Sequence, residues 1–277
     1  MKQFSVLMSL YHAEDPTYLN ACLESTFNQT AAPDQVVLVL DGPVPQALMD
    51  IVDKWVRLEK TLEVYPLDEN VGLGMALNFG MTKCRNDLVA RVDTDDVNSE
   101  FRFEKQLKQF SSDNELSICG TFIDEVTEDS MKFISPRHVP IKHENIVAQL
   151  ITRNPFNHMT VMFKKSDIIR VGGYKHLESM EDWYLWLRLL SAGHKASNIA
   201  ESLVFARTGL SMLSRRSGFR YVKCEYRMMM KKLKLIKGHK VKIVLNFFYR
   251  ALPRLLPKCI LERIYIKSRF ITKQVVL

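Results

Sequence analysis

The sequence predicts an α/β fold built around a mainly parallel sheet, and two observations support this prediction. Over the first hundred residues, short apolar segments alternate with segments of helical periodicity, the order expected for strands joined by crossover helices. Two of these segments end at acidic residues, and ligands of such sheets lie beyond the carboxyl ends of the strands. The predicted strands are 4–10, 36–40, 61–67 and 87–92.

Each predicted strand is followed by a distinct local signal. After the first strand, Asp15-Pro16 supplies a helix N-cap and a proline at the first helical position. The second strand ends at Asp41-Gly42-Pro43 and precedes another helical pattern. The third leads into NVGLGMALNFGM (70–81), and the fourth runs directly into DTDD (93–96).

From about residue 115 the pattern becomes mixed. LSICGTFIDEV (116–126) and MKFISP (131–136) are predicted strands, and HENIVAQLI (143–151) is a predicted helix. The segment ESMEDWYLWLRLLSAG (178–193) has apolar residues at helical spacing and ends at a glycine suited to a C-cap. These elements predict that the α/β domain continues past its parallel half.

Charge is divided unevenly along the chain. The whole chain carries +8, but residues 201–277 hold 19 Lys and Arg against 3 Asp and Glu, which leaves 20 against 28 for residues 1–200. Such a basic segment favours a polyanionic partner, either nucleic acid or an anionic membrane. No apolar run reaches the roughly 18 residues of a spanning helix, and the N-terminus resembles no secretory signal, so we expect a cytoplasmic protein.

Three acids in the DTDD segment are the first candidate site. Asp93, Asp95 and Asp96 would repel one another at a strand end unless a positive charge lay between them. Carboxylate oxygens suit Mg²⁺ or Mn²⁺, so a divalent cation is one interpretation. The other is a solvated helix N-terminus, where acids favour the positive end of the helix dipole.

The segment RVDTDDV resembles the DXD motif of family 2 glycosyltransferases, which have the GT-A fold. The resemblance covers residues 3–210, because other pieces follow in the family's order: FSVLMSLY, VVLVLDG, NVGLGMALNFG, RVDTDD, GGY and ED-WYLWLRL. It implies an inverting, metal-dependent sugar transfer from a nucleoside diphosphate donor, with hexose from a UDP-sugar expected. It also implies a GT-A domain over 1–210, with a nucleotide-binding half (1–100) and an acceptor-binding half (101–210).

The resemblance assigns donor-side residues one by one. Asp41 would contact the base, and the backbone from Ser9 to Tyr11 would line the nucleotide pocket. Asp95 would be the principal ligand of Mn²⁺ or Mg²⁺, with Asp93 on the ribose or in the metal shell. The alternative for Asp41 is a turn-forming role in Asp-Gly-Pro.

The resemblance also assigns acceptor-side residues. Asp182 would be the general base, and Glu181 beside it would hold acceptor hydroxyls; the alternative is that both merely begin a helix. Gly173 would shape an acceptor loop, and Trp183 would stack on a sugar or else lie in the core.

Cations near the donor diphosphate are a further implication. Arg207, Arg215 and Arg216 are candidates, with a solvated basic surface as the alternative. The sequence departs from the family at Leu77, within a segment where many members carry an arginine, and Arg91 is a possible replacement.

Residues 211–277 are predicted to form a basic helical extension. Lys and Arg alternate there with large apolar residues, a composition typical of interfacial helices, so we expect peripheral binding to the cytoplasmic face of a bacterial inner membrane. A helical cap on the domain is the alternative, and no zinc-finger or RNP-type sequence supports nucleic acid. A membrane location fits a polyprenyl-diphosphate-linked saccharide acceptor in O-antigen, capsule or exopolysaccharide synthesis.

Two rival functions remain at this stage. Asp93-Thr94-Asp95-Asp96-Val97 also matches the DxDx(T/V) pattern of haloacid-dehalogenase-type phosphatases, although that pattern normally follows the first strand and here follows the fourth. The second rival is a catalytically inactive, membrane-bound sugar-nucleotide-binding module, against which the presence of Asp95 and Asp182 argues.

Overall fold

The N-terminal apolar strands form the parallel half of one sheet in the computed structural model, which describes residues 2–208 and 218–255. Within these residues nine strands pair in the order β3-β2-β1-β4-β8-β6-β9-β5, with β7 on the side of β6. The strands are β1 (Phe4–Leu10), β2 (Gln35–Leu40), β3 (Leu62–Pro66), β4 (Leu88–Arg91), β5 (Val97–Asn98), β6 (Leu116–Val126), β7 (Phe133–Arg137), β8 (Met162–Lys164) and β9 (Lys195–Arg207).

Helices cover both faces of this sheet. They are α1 (Pro16–Phe27), α2 (Gln46–Leu58), α3 (Leu73–Lys83), α4 (Arg102–Ser112), α5 (His143–Gln149), α6 (Lys165–Arg170), α7 (Glu181–Ser191), α8 (Gly218–Leu235) and α9 (Lys240–Arg254), and a short 3₁₀ turn (His158–Thr160) precedes β8. The side chain of Asp15 accepts hydrogen bonds from the backbone N–H groups of Thr17 and Tyr18, which confirms the predicted N-cap of α1.

The four predicted N-terminal strands are confirmed. β1 pairs in parallel with β2 and β4, and β2 pairs in parallel with β3. Leu10 lies beside Leu40, and Leu7 lies beside Arg91. The carboxyl ends of β1, β2 and β4 therefore meet at one edge, which brings the segments after them together.

The second half of the sheet is mixed. β8 runs antiparallel to β4 and β6, whereas β9 runs parallel to β6. The predicted strand 116–126 is confirmed as β6, and β7 covers most of the predicted strand 131–136. The short strand β5 begins directly after the DTDD segment and pairs with the end of β9, which brings Arg207 next to the acidic residues.

Alternate residues of each central strand enter separate apolar cores, as the pleat requires. Val6 and Met8 of β1 pack with residues of α1, α2 and α4 on one face. Leu7 packs with residues of α3, α7 and α8 on the other. The part of the predicted basic extension that the structure describes consists of α8 and α9, and α8 contributes Tyr221 and Met228 to this second core.

The C-terminal helices pack on the domain. α8 contacts α7, and α9 contacts α8. Within residues 2–208 and 218–255, none of the helices combines the length and apolar character that crossing a bilayer requires.

Candidate active site

The acidic cluster forms where β4 ends. Carboxylate oxygens of Asp93, Asp95 and Asp96 all lie within 4.8 Å of one another. The predicted cluster is therefore a single site, and it has three carboxylates where the resemblance implied two ligands. Oxygen ligands at this spacing suit a hard divalent cation.

Two arginines surround the cluster. The guanidinium of Arg91, which is buried on β4, forms an ion pair with Asp93. The backbone N–H of Arg207 donates to Asp96 Oδ1 at 3.0 Å, and its guanidinium donates to the carbonyl oxygen of Asp95. Arg207 also stacks over the ring of Tyr18, 4.3 Å from its centroid. Arg102, also buried, donates to the carbonyl oxygen of Arg91 at 2.6 Å, so a third cation lies near the cluster. Leu77, in the segment where many family members carry an arginine, is fully buried.

The carboxyl groups are held in an electrostatically costly state. Burial, followed by the charges of Asp93 and Glu14, raises the pKa of Asp95 to about 7. Burial and then the charge of Asp95 raise the pKa of Asp96 well above its usual value. Among the described atoms, Asp96 Oδ2 is buried without a hydrogen-bond partner. A bound divalent cation would relieve both penalties, so these residues fit Mn²⁺ or Mg²⁺.

The predicted nucleotide residues lie along the same edge of the sheet. Ser9 is half-buried near the end of β1, and Tyr11, just beyond it, is 39% exposed. Asp41 follows β2, and its backbone N–H donates to the carbonyl of Leu10 at 2.7 Å. The β1–β2 pairing thus brings the three positions together.

Asp41 has a structural contact that the sequence did not predict. Its carboxylate is 3% exposed and accepts hydrogen bonds from the backbone N–H groups of Val71 (2.7 Å) and Gly72 (3.1 Å). It therefore holds the loop that leads into α3. A role for Asp41 in binding the base stays a prediction.

Gly42 allows the close approach of this loop. It has φ +84°, and a Cβ there would lie 2.6 Å from the backbone nitrogen of Asn70. We expect Gly42→Ala to lower the free energy of unfolding by about 1–3 kcal/mol, because it combines a left-handed backbone with a backbone clash. Chemical denaturation would measure this loss, and Gly193→Ala, with φ +87° and open space around it, would isolate the cost of the clash.

The acidic pair lies in the first turn of α7. Asp182 Oδ2 accepts a hydrogen bond from Asn154 Nδ2 at 2.6 Å, and Oδ1 accepts one from the Trp183 backbone N–H at 2.7 Å. Burial raises the pKa of Glu181, and the charge of Asp182 adds to this rise. These contacts fix the orientation of the Asp182 carboxylate. Both the catalytic and the helix-starting interpretations of the pair remain compatible with this position.

Two predicted acceptor residues have structural contacts. Trp183 is 3% exposed, and its ring lies under the side chains of Lys232 and Arg250, so it cannot stack on a sugar in this arrangement. Gly173 is buried with φ +59°, and a Cβ there would lie 2.6 Å from Asn78 Oδ1. It allows close packing on α3. Arg215 and Arg216 lie outside the described residues.

Tyr174 is buried, and charges of both acidic groups affect its pKa. Its hydroxyl is hydrogen-bonded to His158 Nε2 at 2.7 Å. Burial raises the pKa of Tyr174, Arg91 opposes this, and the charges of Asp182 and Asp93 add to it. The carboxylates of Asp93 and Asp182 are thus both close enough to Tyr174 to affect its pKa.

Three residues near the site were not assigned a role from sequence. Asp96 is adjacent to Asp95 in the DTDD segment, so the sequence could have predicted that it belongs to the carboxylate cluster. Glu14 accepts a hydrogen bond from Thr94 Oγ1 at 2.8 Å, and Asn154 contacts Asp182 from 28 residues away. Neither of these two residues belongs to a recognisable motif.

Comparison with known proteins identifies the family. Residues 5–170, more than half of the chain, match the family described as Glycosyl transferase family 2. The chain belongs to glycosyl transferase family 2. It is accordingly a glycosyltransferase, which excludes the phosphatase interpretation of the DTDD segment.

Relatives in bacteria match nearly the whole glycosyltransferase. The amylovoran biosynthesis glycosyltransferase AmsE of Erwinia amylovora is 39% identical over 266 residues, which cover 96% of this chain and 99% of the relative. The UDP-Gal:alpha-D-GlcNAc-diphosphoundecaprenol beta-1,3-galactosyltransferase of Escherichia coli is 34% identical over 255 residues, which cover 91% and 92% of the two chains.

Solved structures support the GT-A fold of this glycosyltransferase. S. aureus TarS in complex with UDP-GlcNAc aligns with a TM-score of 0.65 at 19% identity, covering 90% of this chain and 72% of that one. The mannosyltransferase PcManGT from Pyrobaculum calidifontis, in complex with GDP-Man and Mn²⁺, aligns with a TM-score of 0.67 at 15% identity, covering 92% and 72%.

Proposed function

We propose that this glycosyltransferase moves a hexose from a UDP-sugar to a polyprenyl-diphosphate-linked saccharide, with inversion at the anomeric carbon, in the synthesis of a bacterial surface polysaccharide. The observation that supports this most directly is the cluster of three carboxylates at the end of β4, beside which the structure also holds the Asp182 carboxylate in a fixed orientation on α7. The aspartates at the end of β4 suit a metal–diphosphate complex, and the carboxylate of Asp182 suits proton removal.

The donor is held by the carboxyl edge of the parallel strands. Asp95 and Asp93, together with Asp96, would hold Mn²⁺ or Mg²⁺, which would supply positive charge to stabilise the departing diphosphate. Arg207 lies beside these acids and adds positive charge near the diphosphate. The backbone from Ser9 to Tyr11 lines the nucleotide pocket. Asp41 contacts the base of the nucleotide.

Asp182 removes the proton from the acceptor hydroxyl as that oxygen attacks the anomeric carbon. Hydrogen bonds from Asn154 Nδ2 and from the Trp183 backbone N–H fix the orientation of its carboxylate, and a carboxylate oxygen is the group that takes up the proton. A single displacement from the face opposite the diphosphate inverts the configuration. Glu181 lies beside the base and holds acceptor hydroxyls.

The acceptor class is supported by relatives. The E. coli relative is named for a galactosyl transfer from UDP-Gal to a diphosphoundecaprenol-linked sugar, and the Erwinia relative is named for amylovoran biosynthesis. For the donor, S. aureus TarS was solved with UDP-GlcNAc.

In this proposal residues 1–100 bind the donor, residues 101–210 bind the acceptor, and residues 211–277 attach the enzyme to the cytoplasmic face of the inner membrane.

A donor and acceptor screen tests the proposal. Purified enzyme with MnCl₂ would be given a panel of UDP-hexoses and other nucleotide sugars, together with a synthetic lipid diphosphate bearing one sugar. We expect transfer from one UDP-hexose, with formation of a β-linked product if the donor is α-linked. Retention of configuration, or binding of nucleotide sugar without transfer from any donor, would contradict the proposal; the second result would favour the inactive sugar-nucleotide-binding module.

The membrane part of the proposal rests on one side of α9. Five large residues at helical spacing, each at least half exposed, form what we call the α9 stripe: Val241, Leu245, Phe248, Tyr249 and Leu252. Ile243 and Ala251, on the other side of α9, are buried. Exposed lysines flank the stripe at positions 240 and 242. An apolar face bordered by positive charge suits the surface of an anionic bilayer.

Leu245→Glu combined with Tyr249→Glu is expected to weaken binding to vesicles by about tenfold or more. Each substitution removes apolar area worth about 1.5–3 kcal/mol when buried and adds negative charge near an anionic surface. Sedimentation with vesicles of phosphatidylglycerol and phosphatidylethanolamine would measure this, and Leu58→Glu on exposed α2 is the matched control. Equal sedimentation of the double variant and the control would refute docking through the α9 stripe.

A further inference from the structure

The C-terminal helices cover the residue that follows the proposed base. Trp183 is buried, and the ammonium nitrogen of Lys232 on α8 lies 3.7 Å from the centroid of its ring. The guanidinium carbon of Arg250 on α9 lies 5.0 Å from the same centroid. Cations over an indole face are attracted to it, more strongly when water is excluded. Trp183 is also the residue whose backbone N–H donates to Asp182.

The same helices form hydrogen bonds with a second segment, residues 151–154, that contacts the proposed general base Asp182. Lys232 Nζ donates to the carbonyl oxygen of Ile151 at 2.9 Å. Asn246 on α9, with its amide nitrogen turned toward the chain, donates to Ile151 at 3.1 Å and to Thr152 at 3.3 Å. Two residues later, Asn154 donates to Asp182 Oδ2. The hydrogen bonds that Asn154 and the Trp183 backbone donate to the Asp182 carboxylate therefore come from segments that α8 and α9 support.

A buried ion pair fixes these supporting side chains. Arg250 Nε lies 2.9 Å from both oxygens of Glu225, and its Nη2 lies 2.6 Å from Oε1. Glu225 and Lys232 are each 3% exposed. Burial, followed by the charge of Arg250, lowers the pKa of Lys232 to about 7. Because burying these groups costs free energy, their main contribution is a defined geometry rather than stability.

We propose that Lys232 is a positioning residue for the transfer reaction. Through Trp183 and the segment 151–154, it sets the orientation of the Asp182 carboxylate, so that α8 and α9 belong to the catalytic machinery as well as to the membrane-binding part. This inference rests on the proposed function, because it takes Asp182 as the base.

Lys232→Met is expected to lower kcat for sugar transfer by about tenfold to a hundredfold, with the donor KM and the affinity for UDP with Mn²⁺ unchanged. A small misplacement of a catalytic group has effects of this size. Lys234→Met, an exposed position on the same helix, is the control and should keep wild-type kcat. Lys232→Gln keeps a donor for Ile151 and should lose only part of the rate.

A double-mutant cycle with Asn154→Ala identifies the route. If Lys232 acts through the segment 151–154, the combined loss in kcat should be smaller than the product of the single losses. Absence of transfer by the wild-type enzyme would count against the proposed function itself. Transfer by the wild type with equal kcat for Lys232→Met and Lys234→Met would overturn the positioning role alone. Parallel losses in kcat and UDP affinity would also overturn it, because they indicate that the whole domain has become less ordered. If Lys232→Met does not fold, the same comparisons of kcat and UDP affinity are made with Lys232→Gln.

Discussion

Asp95→Asn is expected to reduce metal-dependent donor binding by about a hundredfold or more and, at the same time, to stabilise the metal-free protein. The first effect follows from loss of an anionic ligand at the centre of the cluster. The second follows from the raised pKa of Asp95, because an amide removes a buried charge that lies close to Asp93 and Glu14. Loss of function together with a gain in stability distinguishes a binding site from a structural cluster.

The sign of the pH dependence follows from the same pKa. The pKa of Asp95 rises from 3.8 to about 7 in the folded protein, so the folded state binds more protons between these values. The stability of the metal-free protein should therefore fall as the pH rises from about 4 to about 7. Mn²⁺ competes with these protons, so its affinity should rise over the upper part of the same range.

Titration calorimetry with UDP and Mn²⁺, and thermal melts with and without the metal, would measure both effects. Asp53→Asn on exposed α2 is the matched control and should change neither quantity. Unchanged metal-dependent binding by Asp95→Asn would remove this residue from the metal site. A lower melting temperature without metal would show that Asp95 stabilises the fold through contacts that outweigh its burial.

Three strands of the parallel half, β1, β2 and β4, were predictable because they are short and mainly apolar. They are buried on both faces, so nearly every position favours an apolar residue and the strand can be recognised from composition. β8, by contrast, has three residues, and β5 has two. β9 interrupts its apolar residues with polar ones, for example Asn198 and Glu201. These strands depend on pairing partners that are distant in sequence, and local patterns do not encode such partners.

The candidate site was predictable to a similar degree. The acids of the DTDD segment were recognisable as a candidate site because three carboxylates within four residues repel one another unless a cation binds between them. The contacts of Asp41 with the loop before α3, and of Asn154 with Asp182, join residues 28 or more positions apart. The burial of Trp183 was an open alternative, because helical periodicity shows which residues share a face but not what covers that face. Here α8 and α9 cover it.

Asp182→Asn is expected to lower kcat by about 10²- to 10⁴-fold, the usual contribution of a positioned general base, while donor binding with Mn²⁺ stays at the wild-type level. The substitution is nearly isosteric. The amide oxygen can still accept the Trp183 N–H, and a turn of the Asn154 amide would present its oxygen to the new nitrogen at the cost of the 3.2 Å hydrogen bond from the Phe156 N–H. The variant therefore removes the proton acceptor and disturbs at most one neighbouring hydrogen bond.

Its most informative control addresses the alternative that Asp182 merely begins α7. Glu144 is likewise an acid in the first turn of a helix, α5, so Glu144→Gln removes a comparable charge–dipole interaction worth about 0.3–1 kcal/mol. If Asp182 acts only through the helix dipole, both variants should lose a similar, small amount of stability and keep their rates. If Asp182 is the base, Glu144→Gln keeps wild-type kcat and Asp182→Asn loses transfer at full UDP affinity. Transfer at the wild-type rate by Asp182→Asn would assign the proton to another acceptor, with Glu181 as the next residue to substitute.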